Sequence, residues 1–102
     1  MMIDRLRKVS DGKNIIVSET GWPTEGGAVG KAKAGEREAH EYFTAIKAWS
    51  LSHGTQVLWF EAADEPWKRA GENEAGAHWG ILSTAFTVKD CFNSTDFFQT
   101  AR

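Results

Sequence analysis

Four acids stand at or just past the ends of two apolar stretches. Glu19 closes Asn14-Ile15-Ile16-Val17-Ser18-Glu19, and Glu61 closes Gln56-Val57-Leu58-Trp59-Phe60-Glu61, with Asp64 and Glu65 immediately beyond. A carboxylate beside an apolar core is costly unless it is paired or hydrogen-bonded. Two accounts are open. In one, these are solvated rim acids, with Lys68 or Arg69 forming surface ion pairs worth roughly 0–1 kcal/mol each. In the other they belong to a carbohydrate cleft, because sugars present polar edges and apolar faces that suit carboxylates set beside aromatic platforms. Trp22 lies three residues beyond Glu19, and Trp67 two beyond Glu65. Trp49 and Trp59 are expected in the core. His40, His53 and His78 with Cys91 show no recognised metal-ligand spacing, so no metal is expected. His40 and His53 read as surface residues, the latter placed favourably against a helix dipole.

The elements that must position these groups are legible from periodicity. A helix is expected to end near Lys8 at Ser10-Asp11-Gly12. Residues 14–19 and 56–61 are apolar on both faces, the pattern of buried parallel strands. Residues 24–34, with three glycines, read as a surface loop. Between them, Ala39, Tyr42, Phe43, Ile46 and Trp49 recur at spacings of three and four, which predicts a helix over 35–53 closed by Gly54. Strand, helix and strand make a βαβ unit with parallel strands and a right-handed crossover. Side chains leaving the same end of two such strands meet in one cleft, at the carboxyl end where α/β folds build their sites. After a loop over 66–82 that ends in an extended piece at His78-Trp79-Gly80-Ile81-Leu82, Phe86, Val88, Phe92, Phe97 and Phe98 give the tail a means to pack.

Composition narrows the functional class. The chain has 102 residues, 41% hydrophobic and 25% charged, which suits one modest core. A complete (β/α)₈ barrel needs about 250 residues, so the chain is too short to hold one. Twelve Lys+Arg against fourteen Asp+Glu give a net charge of -2 without a basic stripe, so neither nucleic acid nor another polyanion is an expected partner. No apolar run approaches a membrane span, and the charged start Met1-Met2-Ile3-Asp4-Arg5-Leu6-Arg7-Lys8 does not read as a signal peptide. A single cysteine, Cys91, leaves no intrachain disulfide to form.

Val17-Ser18-Glu19-Thr20-Gly21-Trp22-Pro23 closely resembles the Glu-Thr-Gly-Trp-Pro signature of glycoside hydrolase family 17, the β-1,3-glucanase and glucanosyltransferase family. Phe60-Glu61-Ala62-Ala63-Asp64-Glu65-Pro66-Trp67-Lys68, then Glu74 and His78-Trp79-Gly80-Ile81, resembles the segment after the last barrel strand of the same family. The resemblance implies an α/β fold in which the chain, as one partial domain over residues 1–102, is the last quarter of a (β/α)₈ TIM barrel, strands seven and eight. It implies Glu19 as catalytic nucleophile, Glu65, Lys68 and Glu74 as supporting residues around it, and Trp22, Trp67 and Trp79 as substrate-binding walls of a glucan groove. The implied chemistry is retaining hydrolysis or transglycosylation of β-1,3-glucan without a cofactor.

In that family the general acid follows an Asn at the end of the fourth strand, a segment this sequence does not contain. Glu61 and Glu65 are the only nearby substitutes, and the family uses that neighbourhood for support. The 102 residues alone are therefore expected to be inactive, with Ile15, Val17, Val57 and Trp59 left uncovered by missing strands. The whole enzyme is expected to be secreted, periplasmic or in a cell wall. The competing readings are a carbohydrate-binding remnant and a fragment without independent function.

Overall fold

The computed structural model describes residues 2–71 and 73–93. Helix α1 (Met2–Val9) carries Asp4 in its first turn and Arg7 and Lys8 in its last, each favourable to the helix dipole. It stops where Asp11 and Gly12 both take left-handed backbone, at φ 53° and 77°. Strand β1 (Ile16–Thr20) follows, then β2 (Ala28–Val29) and β3 (Ala32–Lys33), helix α2 (Glu36–His53) and β4 (Gln56–Trp59). Short 3₁₀ turns occupy Pro66–Ala70, Glu74–Ala77 and Asp90–Phe92.

The strand–helix–strand unit forms as periodicity predicts: β1 and β4 pair in parallel, and Gly54 closes α2 in the left-handed conformation at φ 59°. Both strands are shorter than expected. Phe60 N–H still donates to Thr20 O of β1 at 2.7 Å, and beyond it the chain takes a new partner: Glu61 N–H donates to Trp79 O at 3.1 Å, Ile81 N–H to Glu61 O at 2.9 Å, and Leu82 N–H to Ala62 O at 2.8 Å. The extended piece expected at 78–82 is thus paired with residues 61–64. Residues 24–34 are not a plain loop, because β2 and β3 pair antiparallel there as a small hairpin.

Burial corrects the expected two-sided core. Val17, Val57 and Trp59 are half-buried against α2, whereas Ile16 and Leu58 remain 54% and 50% exposed. The uncovered face is therefore that of Ile16 and Leu58, not that of Val17, Val57 and Trp59. Strand side chains alternate sides, and α2 covers only one. Ala39 is fully buried on α2, while Tyr42 and Phe43 lie against Trp59 at ring separations of 5.9 and 5.2 Å. Phe92, 1% exposed, completes the cluster 5.9 Å from Phe43 and 6.0 Å from Trp59. Offset and edge-on aromatic pairs of this kind contribute about 0.5–1.5 kcal/mol each beyond area burial. Trp49, expected in this core, instead stacks on His53 at 4.7 Å near the end of α2.

The tail packs through a turn in which Ser83 N–H donates to Thr87 O at 2.9 Å and Lys89 N–H to Ile81 O at 3.0 Å. Val88 bridges to Leu82, and Phe92 is the tail's contribution to the core. Phe86 sits at the turn with φ 60° and is 73% exposed, so it does not pack as expected. Phe97 and Phe98 lie outside the described residues. Among the described residues, no helix is long and apolar enough to cross a membrane.

Candidate active site

The side on which Glu19 emerges is set by an irregularity in β1. Ile16 pairs with Gln56 and Val17 with Val57, but Thr20 pairs with Trp59, so Ser18 and Glu19 together stand opposite Leu58. Paired residues in a parallel ladder share a face. The extra residue lets Val17 and Thr20, three apart, both turn toward α2, where the Thr20 hydroxyl meets the Tyr42 hydroxyl at 2.6 Å. A bulge re-aims a side chain in this way. Strict alternation would place Glu19 on the α2 side with Val17; the bulge sends it to the other side, where it lines a cleft of about 690 Å³.

The cleft is built where the two strand ends nearly touch. A Cβ on Gly21 would run into the Phe60 carbonyl oxygen and crowd the Trp79 ring, so only glycine lets the chains leave β1 and β4 side by side. Trp22, Phe60, Lys68 and Trp79 line the cleft with Glu19, and the β2–β3 hairpin forms a further wall. Trp22 is fixed from two directions, since its indole N–H donates to Lys33 O at 2.9 Å and its ring lies 5.3 Å from Tyr42. Phe60 and Trp79 meet edge to face at 6.0 Å.

Lys68 joins this cleft to a pair of carboxyls behind it. Its ammonium lies 4.7 Å from the centre of the Phe60 ring, 3.4 Å from one Glu61 oxygen, and in direct ion-pair contact with Glu65. The Glu61 side chain is only 12% exposed. Burial, followed by a hydrogen bond with Glu65, pushes its pKa up to about 7. Glu65 moves the opposite way, held below the usual carboxylate range first by its hydrogen bond with Glu61 and then by that with Lys68. Lys68 is raised above its ordinary value, chiefly by its hydrogen bond to Glu65. The arrangement is one ammonium facing two hydrogen-bonded carboxyls, of which Glu61 is the one favoured to hold a proton and Glu65 the one favoured to be ionised.

A second polar cluster holds the loops together. Asp64, 8% exposed, accepts from Gly80 N–H and from Lys89, both at 2.8 Å, and Lys89 also donates to the Thr24 hydroxyl at 2.9 Å. Gly80 is required here as well, because a Cβ would collide with the backbone at Ala63 and Asp64. Asp64 is thus a staple between three loops rather than a cleft residue.

The sequence-predicted site residues therefore divide. Glu19, Trp22, Lys68 and Trp79 are brought together, with Glu65 attached through Lys68. Glu74 is outside the cleft lining. It is 54% exposed, pairing at the surface with Arg69 at 3.3 Å and His78 at 3.1 Å. Trp67 is 68% exposed and borders a separate shallow groove with Pro66 and Phe86. The turn at Pro66–Ala70 that aims Lys68 inward carries its neighbour outward. Sequence reasoning weighed Lys68 as an ion-pair partner for the strand-end acids, a pairing the structure realises at Glu61 and Glu65, but it missed the role of Lys89. The spacing of Glu61, Glu65 and Lys68 at i, i+4 and i+7 was a usable signal, whereas Asp64 and Lys89 are too far apart in the chain for any local one. Of the histidines, His40 binds the Cys91 carbonyl at 2.7 Å and His53 the Trp49 carbonyl at 3.0 Å.

A family model described as the BtgE/BtgC glycoside hydrolase domain matches residues 1–80. The chain belongs to that family. Its relatives include a glucan 1,3-beta-glucosidase of Arthroderma benhamiae, 41% identical over 68% of this chain, and a probable glucan endo-1,3-beta-glucosidase btgC of Aspergillus fumigatus, 33% identical over 76%. A Rhizomucor miehei glycoside hydrolase family 17 beta-1,3-glucanosyltransferase shares the fold with a TM-score of 0.78 and 28% identity over 86% of this chain. An active-site mutant of that enzyme, in complex with laminaritriose, gives a TM-score of 0.79 at 27% identity over 87%. This BtgE/BtgC chain spans 24% and 13% of the two curated relatives and 32% of each Rhizomucor chain.

Proposed function

We propose that this segment supplies strands seven and eight of a (β/α)₈ barrel that cleaves or transfers β-1,3-glucan by double displacement, with Glu19 as nucleophile. The observation that carries this reading is the bulge that turns Glu19 away from α2 into a cleft walled by Trp22 and Trp79 and bordered by Lys68. In a retaining mechanism one carboxylate attacks the anomeric carbon, while a second about 5–5.5 Å away protonates the leaving oxygen and later activates water or a sugar hydroxyl. Glu61 and Glu65 are badly placed for the second role. Neither lines the cleft, and both are engaged by Lys68 from behind. The acid is therefore assigned to a barrel segment outside this chain. The open face of Ile16 and Leu58 supports the same reading, because it presents apolar side chains where further strands of a barrel would cover them. For the whole enzyme, action on a polymeric glucan goes with the proposal that it works at a cell wall, in a periplasm or outside the cell.

The test is made in a full-length barrel enzyme carrying this segment. Glu19→Gln is expected to lower turnover of laminarin by roughly 10³-fold or more with the thermal midpoint unchanged. Glu19→Ala supplied with azide is expected to release a glycosyl azide of inverted anomeric configuration. Retained turnover in Glu19→Gln sinks the assignment. Laminarin binding without release of reducing sugar by the unsubstituted protein selects the carbohydrate-binding remnant instead.

A further inference from the structure

Glu61, its side chain only 12% exposed, is a carboxyl at this end of the strands that the proposed chemistry does not use and no loop staple claims. It borders the groove on the far side of the Pro66–Ala70 turn, away from the sugar cleft, yet its oxygens lie 3.4 and 3.5 Å from the Lys68 ammonium that lines that cleft. Lys68 is thus held between Glu65, Glu61 and the Phe60 ring, on a side chain that is otherwise long and freely rotating. A lysine fixed by one surface partner loses little by changing rotamer. Two carboxyls and an aromatic face, one carboxyl nearly out of water, leave it a single favourable position.

We propose that Glu61 is a positioning residue that acts through Lys68, presenting the ammonium to the cleft where Glu19 must be ionised to attack. This inference depends on the reading of Glu19 as nucleophile. The division of labour follows from the charges. Were both carboxyls ionised, the cluster would carry a net negative charge and draw Lys68 away from Glu19. With one proton shared between Glu61 and Glu65, the cluster is neutral and the ammonium remains available to favour a carboxylate across the cleft. Burial and the Glu65 hydrogen bond both favour a protonated Glu61, which supports this state. The groups facing Glu61 are Glu65 and Lys68 on the following turn, and no other element contributes a charged partner to it among the described residues.

The experiment is a double-mutant cycle in the full barrel enzyme, with laminarin as substrate and Glu19→Gln run in the same series. Glu61→Ala is expected to lower kcat by about 10- to 100-fold with KM within about twofold, the scale of a misplaced group in a preorganised site. Lys68→Met is expected to give a comparable loss. Glu61→Ala added to Lys68→Met should then cost little further, because its effect passes through a side chain already gone. Glu61→Gln, which can donate to Glu65 and accept from Lys68, should recover most of the loss. Multiplicative losses in the double variant, no recovery in Glu61→Gln, or full activity in Glu61→Ala overturn the proposal. Turnover retained by Glu19→Gln would instead defeat the reading beneath it.

Discussion

The two ends of the β1–β4 pair each carry a polar cluster, and they are satisfied in opposite ways. At the amino end, Arg7 donates to His53 O at 3.3 Å and also contacts the Thr55 hydroxyl, while the Ser50 hydroxyl donates to Thr55 O at 2.5 Å. Thr55 is only 2% exposed. Arg7 thereby serves an orphan carbonyl at the end of α2, the ordinary need of a helix terminus, and Ser50 satisfies the Thr55 carbonyl just beyond it. At the carboxyl end the acceptors outnumber the donors. Glu61 and Glu65 share Lys68, Glu19 faces a cleft, and the aromatic rings of Trp22 and Trp79 form walls rather than core. A closed cluster stabilises; one with groups left over can act on something else. The same contrast separates the two faces of a (β/α)₈ barrel.

That contrast can be broken at four points. Gly21→Ala should be the most damaging, since its Cβ cannot coexist with the Phe60 carbonyl. A loss of about 3 kcal/mol by denaturant titration, with catalysis impaired, is expected from so tight a backbone approach. Arg7→Ala tests the other end: it should cost about 1.5 kcal/mol by removing the guanidinium cap, while in the proposed full barrel enzyme kcat on laminarin stays unchanged. A loss of kcat there would show that the amino end is not purely structural.

Among the tryptophans, Trp22→Ala should raise KM for laminari-oligosaccharides about tenfold, whereas Trp67→Ala should change it less than about twofold. Equal effects would bring Trp67 back into the groove. The smallest effect concerns pH. Glu61 has a higher pKa folded than unfolded, so its protonation stabilises the fold fully below its ordinary value of 4.5, and this is lost as pH rises through about 7. Relative to Glu61→Gln, the unsubstituted protein should therefore weaken by on the order of 1 kcal/mol across that window, less than the whole shift implies because Glu65 moves oppositely. Parallel stability curves for the two proteins would contradict the buried, proton-sharing Glu61.

Much of the framework was legible without coordinates. The spacing of Ala39, Tyr42, Phe43 and Ile46 gave α2, Gly54 gave its end, and two apolar stretches gave the parallel pair, because each depends on preferences expressed within a few residues. The chemical inventory was equally plain: acids at strand ends, tryptophans beside them, a lysine within reach. Which of these groups meet was not. One extra residue in β1 decides that Glu19 leaves the α2 side, and no local propensity announces a bulge in a parallel ladder. The turn at Pro66–Ala70 sends Lys68 inward and Trp67 out, and Asp64 is claimed by Lys89 from the far end of the chain. Composition and periodicity determined which elements form and what chemistry they carry. Register and long-range packing decided which side chains face each other, because a strand presents its residues to whatever lies beside it in space rather than in sequence.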